Sequence, residues 1–309
     1  MMPDTLRRGN LLTIALAAVA IGSVSAQNAP PKPTKTYWAY AGAESADKIH
    51  RIRFGPDGTV VERTTLIGEL PNEMEGPHGL QTSPDGKFLY MTTGHGRPEG
   101  KLWVFDISGP TDKLLGETGT DLGNFPASID VTPDGLYALS VNFNLHGDMV
   151  PSTVSVVYTP DRTEVARIVT CTMPHGSRID PSGTRQYSTC MMDDQLVEID
   201  AVKFAVSRRF SVAKGKEGAI AVAADPHAGH NMAGTSTPSP AKPPIDPAEV
   251  GYTGGERHQM APASCSPTWA QPSFNGAKIF VACNKTDEIL EVDTKSWTLS
   301  RRLPTGRGV

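Results

Sequence analysis

Four short segments of the chain repeat at nearly fixed intervals, and a repeat of this kind restricts the fold before any single residue is weighed. Ser83-Pro84-Asp85-Gly86 leads into Phe88-Leu89-Tyr90-Met91-Thr92-Thr93, and Thr132-Pro133-Asp134-Gly135 into Tyr137-Ala138-Leu139-Ser140-Val141. Asp180-Pro181-Ser182-Gly183 precedes Gln186-Tyr187-Ser188-Thr189-Cys190, and Gln271-Pro272-Ser273-Phe274-Asn275-Gly276 precedes Ile279-Phe280-Val281-Ala282-Cys283. The turn prolines lie 49, 48 and 91 residues apart, so the last gap is one period plus an insertion. Pro presets φ at the first central turn position, Asp bonds back to its own backbone, and Gly takes the positive φ that closes a hairpin.

Each turn feeds a β-branched and aromatic run, then a polar loop and a second strand that ends on Asp: Leu102 to Asp106, Leu196 to Asp200, Ile289 to Asp293. A more polar strand closes the unit, as in Phe204 to Phe210 and Trp297 to Arg302. A period in the forties built of four short strands predicts an all-β fold, a β-propeller of four-stranded antiparallel blades. No such blade buries both faces alone, so blades stack around an axis. Five blades are legible. The first starts at its second strand, with Thr36 to Gly42, Lys48 to Phe54 and Thr59 to Ile67 as the strands present. The last runs through its outer strand to Pro304-Thr305-Gly306-Arg307-Gly308-Val309, the loop before a new inner strand. Two readings follow: five blades closing imperfectly, or a C-terminally truncated six- to eight-bladed ring, seven-bladed by preference. The second is favoured because a bare ring edge exposes unpaired backbone groups.

Residues 1–26 read as a secretory signal peptide, with Arg7 and Arg8 before the apolar run Leu11 to Gly22 and small residues Val24-Ser25-Ala26 before Gln27. That run is short for a membrane span, and a signal anchor is the alternative. Residues 27–35 form a Pro-rich spacer, and 36–309 a single propeller domain with an insertion at 215–262. No transmembrane segment is expected after signal cleavage, which places the protein in the periplasm or outside the cell. Nothing basic and clustered argues for nucleic acid.

The turn-strand units, the Leu89-Tyr90-Met91-Thr92-Thr93 and Ile279-Phe280-Val281-Ala282-Cys283 strands and the Pro304-Thr305-Gly306-Arg307-Gly308 end resemble the YVTN-type repeat propellers. Those are exported proteins related in fold to the propeller of nitrous-oxide reductase. The resemblance covers roughly residues 36–308. It implies the fold and leaves the activity open, because such propellers host many. A catalytic role like that of nitrous-oxide reductase does not follow: Ala127 and Thr268 stand where that enzyme's propeller would bring histidines to its channel.

Strand direction alternates within a blade, so seven of the eight histidines fall on one face, the channel mouth; His50, inside a strand, does not. His78 and His175 hold the same place at the start of an inner strand, in Gly76-Pro77-His78-Gly79 and Met173-Pro174-His175-Gly176. His95 and His146 lie in loops at the same mouth, and the insertion adds His227, His230 and Met232, then His258 and Met260. Imidazole with thioether suits copper, the thioether favouring Cu(I). A linker without ligand, and another metal or a partner, are the competing readings of the insertion. A hydrogen-bonded rim residue is the competing reading of His78 and His175.

The four cysteines fall in two pairs that antiparallel pairing brings close, Cys171 with Cys190 and Cys265 with Cys283, and disulfides are expected of an exported chain. A thiolate copper site at the mouth is the rival. No Gly-x-Ser-x-Gly, His-Glu-x-x-His or Cys-x-x-Cys-His occurs. The reading is an exported propeller acting as a binding or scaffold protein. A small ligand or metal ion, copper first, sits at the channel mouth, and a protein partner is a further option. The alternative is an enzyme at the same face, a lactonase-like hydrolase or a redox protein.

Overall fold

The computed structural model describes residues 31–68, 74–95, 99–145, 147–221 and 264–309. They form five antiparallel sheets arranged as the blades of a propeller. Blade one has three strands, β1 (Tyr37–Ala43), β2 (Lys48–Gly55) and β3 (Gly58–Leu66). Blade two has β4 (Pro77–Thr82), β5 (Phe88–Thr93) and β6 (Lys101–Asp106), with two short outer pieces β7 (Lys113–Leu114) and β8 (Thr120–Asp121). Blade three has β9 (Pro126–Val131), β10 (Tyr137–Asn142), β11 (Pro151–Tyr158) and β12 (Thr163–Thr172). Blade four has β13 (Pro174–Ile179), β14 (Arg185–Cys190), β15 (Gln195–Asp200), β16 (Ala205–Ser211) and β17 (Gly218–Ile220). Blade five has β18 (Pro267–Pro272), β19 (Lys278–Cys283), β20 (Glu288–Asp293) and β21 (Thr298–Pro304). The inner strands β4, β9, β13 and β18 lie side by side in that order. Among the described residues the only helix is one short turn, Glu44–Ala46, and no helix is long and apolar enough to cross a membrane.

Two elements depart from the sequence reading. The outer strand of blade two is split: β7 pairs with Phe105 and Asp106, β8 with Lys101 and Leu102. Gly116 between them sits at φ +90°, which ends one piece before the other begins. Residues 218–220, inside the stretch assigned to the insertion, form β17 and add a fifth strand to blade four.

The repeated turns close on their own side chains. Ser83 Oγ accepts from Phe88 N at 2.9 Å, Thr132 Oγ1 from Tyr137 N at 3.0 Å, and Ser273 Oγ from Lys278 N at 3.0 Å. Asp180 Oδ1 does the same for Arg185 N at 3.1 Å. Each turn ends on glycine at φ between +69° and +76°, a conformation other residues adopt at a cost of about 1–2 kcal/mol. In blade five the turn proper is Ser273-Phe274-Asn275-Gly276, so fully exposed Phe274 stands where the other turns have proline, and Pro272 ends the strand before it.

The core is a series of layers between blades. Leu139, Val141 and Val156 of blade three meet Val197 and Ile199 of blade four. Tyr187, Leu196 and Phe210 of blade four meet Ile279, Val281 and Leu290 of blade five. Strand alternation sends every second side chain into one layer and its neighbours into the next.

Candidate functional site at the channel mouth

The entry to each inner strand is built the same way. Pro77, Pro126, Pro174 and Pro267 open β4, β9, β13 and β18, and each is preceded by a residue in the left-handed region: Gly76 (φ +62°), Phe125 (+50°), Met173 (+54°) and Ser266 (+48°). Proline disfavours the right-handed helical region for the residue before it. The left-handed turn swings the chain from the outer loop into the inner strand. It sets the residue after each proline at the mouth: His78, Ala127, His175 and Thr268.

At two of these places the side chain reaches across to the next blade. His78 Nδ1 lies 2.7 Å from Ala127 O, and His175 Nδ1 lies 2.9 Å from Thr268 O. A carbonyl oxygen only accepts, so Nδ1 carries the proton in both rings and Nε2 keeps its lone pair while the ring is neutral. The glycines that follow make this reach possible. A Cβ on Gly79 would stand 2.8 Å from Ala127 O, and one on Gly176 would collide with Thr268 O.

The inner strands therefore approach more closely than side chains would allow. The two rings come within 6.2 Å of each other, centroid to centroid, at 89°.

Aromatic rings hold them in place. Phe125 meets His78 edge-on at 5.1 Å, and Phe143 meets His175 at 4.8 Å. His95 packs on Phe125 at 4.7 Å and its Nε2 lies 2.9 Å from Glu44 Oε1 of blade one. Burial pushes the His175 pKa down, and the neighbouring His78 adds to the effect, while the bond to Thr268 opposes it. His175 is thereby kept neutral, the form that ligates metals.

The segment that follows the insertion, Ser264 to Ser266, is gripped at this mouth by Asp194, a buried carboxylate on the turn between β14 and β15. Asp194 accepts from Cys265 N at 3.0 Å and Ser266 N at 2.8 Å, and from the backbone and hydroxyl of Ser264. Thr268, which holds His175, follows two residues later. His227, His230, Met232, His258, Met260 and His146 lie outside the described residues. His258 is six residues before Ser264, a span of at most about 20 Å of extended chain.

Both disulfides form as the antiparallel register predicts: Cys171–Cys190 with Cα atoms 5.8 Å apart and Cys265–Cys283 at 4.6 Å. The thiolate copper reading is thereby overturned, because no free cysteine remains. His50, paired with Thr64 Oγ1 at 2.8 Å, stays inside β2 and away from the mouth. Among the described residues no three His, Cys, Asp or Glu side chains are grouped as a metal site. Two imidazoles are fewer donors than such a group requires.

No family model matches the chain, and no curated protein matches it. Solved structures do. A functionally unknown protein from Desulfotomaculum acetoxidans superposes with a TM-score of 0.57 at 10% identity, over 89% of this chain and 70% of that one. A protein provisionally assigned as a 6-phosphogluconolactonase from Bacteroides fragilis gives 0.56 at 13% identity, covering 87% and 67%. A second such protein, from Bacteroides uniformis, gives 0.51 at 15%, covering 83% of this chain and 63% of its own length. The fold is a β-propeller. These likenesses carry the fold and no activity, and the chain spans about two thirds of the length of these neighbours.

Sequence reasoning found His78, His175 and His95 but not what positions them. Phe125, Phe143 and Asp194 carry no motif. The recurring proline at the head of each inner strand, twice as Pro-His-Gly, was the signal that could have pointed to the entry turns.

Proposed function

We propose that this is an exported propeller that binds copper at its channel mouth, with His78 and His175 supplying imidazole nitrogen. His227, His230, Met232, His258 and Met260 of the insertion supply the remaining nitrogen and sulfur. The observation that carries the reading is the paired, Nδ1-anchored histidines, 6.2 Å apart, at the mouth where Ser264 to Ser266, just after the insertion, lead into β18. Metal–imidazole bonds of about 2.0 Å put rings at that spacing within the span of one ion. Anchoring Nδ1 to a carbonyl fixes the tautomer and raises the basicity of Nε2, as in metal sites generally. The signal-peptide reading and two disulfides support an oxidising compartment, and the repeat units support kinship with the YVTN-type propellers.

The test is a Cu(I) competition titration against a chromophoric chelator. It compares the intact protein, a His227→Ala/His230→Ala/Met232→Ala variant and a His78→Ala/His175→Ala variant. The expected result is one tight site in the first and weakened binding in both variants. Equal binding by all three, or none by any, overturns the proposal. Lactone hydrolysis assayed on the same preparations addresses the enzymatic alternative, which turnover without copper would favour.

A further inference from the structure

A cavity of about 560 Å³ opens on the turn side of the molecule, between blades two and three, away from the channel mouth. Its origin is visible when the blades are compared. The turn joining the third and fourth strands carries one residue in the left-handed region: Arg162 (φ +61°) in blade three, Phe204 (+54°) in blade four and Trp297 (+55°) in blade five. In blade four that residue is a plug. Phe204 packs on Tyr137 of the preceding blade at 5.2 Å. In blade five Trp297 leans on Tyr187 of the preceding blade at 6.5 Å and on Phe210 at 5.8 Å, with the Arg208 guanidinium 4.1 Å above it.

Blade three breaks the pattern. Arginine stands at the plug position, and beneath it half-buried Phe88 and Leu115 of blade two line the cavity, with Tyr90 and Val104 buried behind them. The Arg162 guanidinium makes no ion pair or hydrogen bond with the described residues, although the residue is half-buried at the cavity wall. The two carboxylates at the rim are engaged by their own turns. Asp85 accepts from Ser83 Oγ at 2.6 Å and faces Lys87 Nζ at 3.1 Å, and Asp134 accepts from Thr132 Oγ1 and from Leu136 N at 3.0 Å. Lys87 offsets the charge of Asp85, and Asp134, held by neutral donors, keeps its own, so Arg162 is the charged group of the cavity left without a partner among the described residues. The cavity's size falls in the ordinary range of small-molecule sites.

We propose that this cavity binds a small aromatic carboxylate, whose ring takes the place of the missing plug and whose carboxylate pairs with Arg162. A planar ring on Phe88 repeats the aromatic contacts that Phe204 and Trp297 make intramolecularly. A guanidinium at the wall provides the bidentate partner a carboxylate prefers. The inference is independent of the copper reading, since no mouth residue lines the cavity.

The experiment is ligand-observed NMR with phenylacetate on the intact protein, with phenethylamine as the probe of opposite charge. Phenylacetate should bind at millimolar concentration or better, and phenethylamine about tenfold more weakly or not at all, as a lost charge-assisted bond implies. Arg162→Gln should weaken phenylacetate by about the same factor while keeping the cavity. Arg162→Trp, which restores the plug of blade five, should abolish binding of both probes and raise the Tm, with Cu(I) uptake unchanged. Absence of phenylacetate binding, preference for phenethylamine, or phenylacetate binding that persists in Arg162→Trp would each overturn the proposal. The last would show that the probe sits elsewhere.

Discussion

The two ends of the blades are built by different means. At the turn end, hydrogen bonds are local: a Ser, Thr or Asp side chain caps backbone N–H groups a few residues on, and a glycine completes the reversal. At the mouth end the bonds run between blades. Asp47 of blade one accepts from Gly76 N at 2.8 Å, Ser128 Oγ donates to His175 O at 2.8 Å, and His175 reaches Thr268. Blades four and five add a disulfide at this end, where blade three has Asn142 bonded to Gly123 N at 3.2 Å and to Thr153 and Ser155. The hairpin turns at the turn end close on their own side chains, although Phe204 and Trp297 there also pack on the preceding blade, whereas the entry turns at the mouth are held by bonds to neighbouring blades. That is where polar side chains with spare ligating atoms accumulate.

If the mouth is the interdependent end, Asp194→Ala should be the most costly single change. Three backbone N–H groups lose a buried carboxylate acceptor, for about 3–4 kcal/mol in urea denaturation. Asp194→Asn, which keeps one acceptor oxygen, should cost less. A loss below about 1 kcal/mol would mean that Ser264 to Ser266 are not held as described.

Opening one disulfide, by Cys171→Ala with Cys190→Ala, should cost about 3 kcal/mol for its separation of 19 residues. The same change in blade five should cost nearly as much, its separation being 18.

The turn end should respond more mildly. Gly135→Ala, at φ +75°, should cost about 1–2 kcal/mol and leave copper uptake intact. A larger loss there than at Asp194 would invert the comparison.

The smallest effect is electrostatic. The His175 pKa is lowered in the folded protein, so the unfolded chain binds more protons as pH falls past the ordinary histidine value of about 6.5. The stability His175 contributes is fully present above that value and is lost as pH drops through the lowered folded pKa. The Tm should therefore decline over that interval, and His175→Asn should flatten the decline. An unchanged slope would show that His175 is not buried neutral.

The same division explains what could be read from the sequence. The turn end is written in contiguous residues, so Pro-Asp-Gly and Pro-Ser-Gly spacing revealed blades, strand order and register closely enough to pair Cys171 with Cys190 and Cys265 with Cys283. Where local chemistry was ambiguous the reading slipped: Pro272 looked like a turn proline, yet the turn takes Phe274 and Asn275. The mouth is assembled from residues about one period apart, and no local pattern shows that Phe125 wedges against His78 or that Asp194 grips Ser264 to Ser266. Loop placement put His78, His175 and His95 on one face, while His146, His227, His230 and His258 lie outside the described residues. Ring spacing and the anchoring of Nδ1 needed the neighbouring blade.

The most direct test of the central claim is copper K-edge X-ray absorption on the Cu(I)-loaded protein and its His78→Ala/His175→Ala variant. The account predicts mixed nitrogen and sulfur scattering, with the outer-shell imidazole features diminished in the variant while the sulfur contribution persists. An imidazole signal identical in the two proteins, or copper that does not stay bound to either, would contradict it.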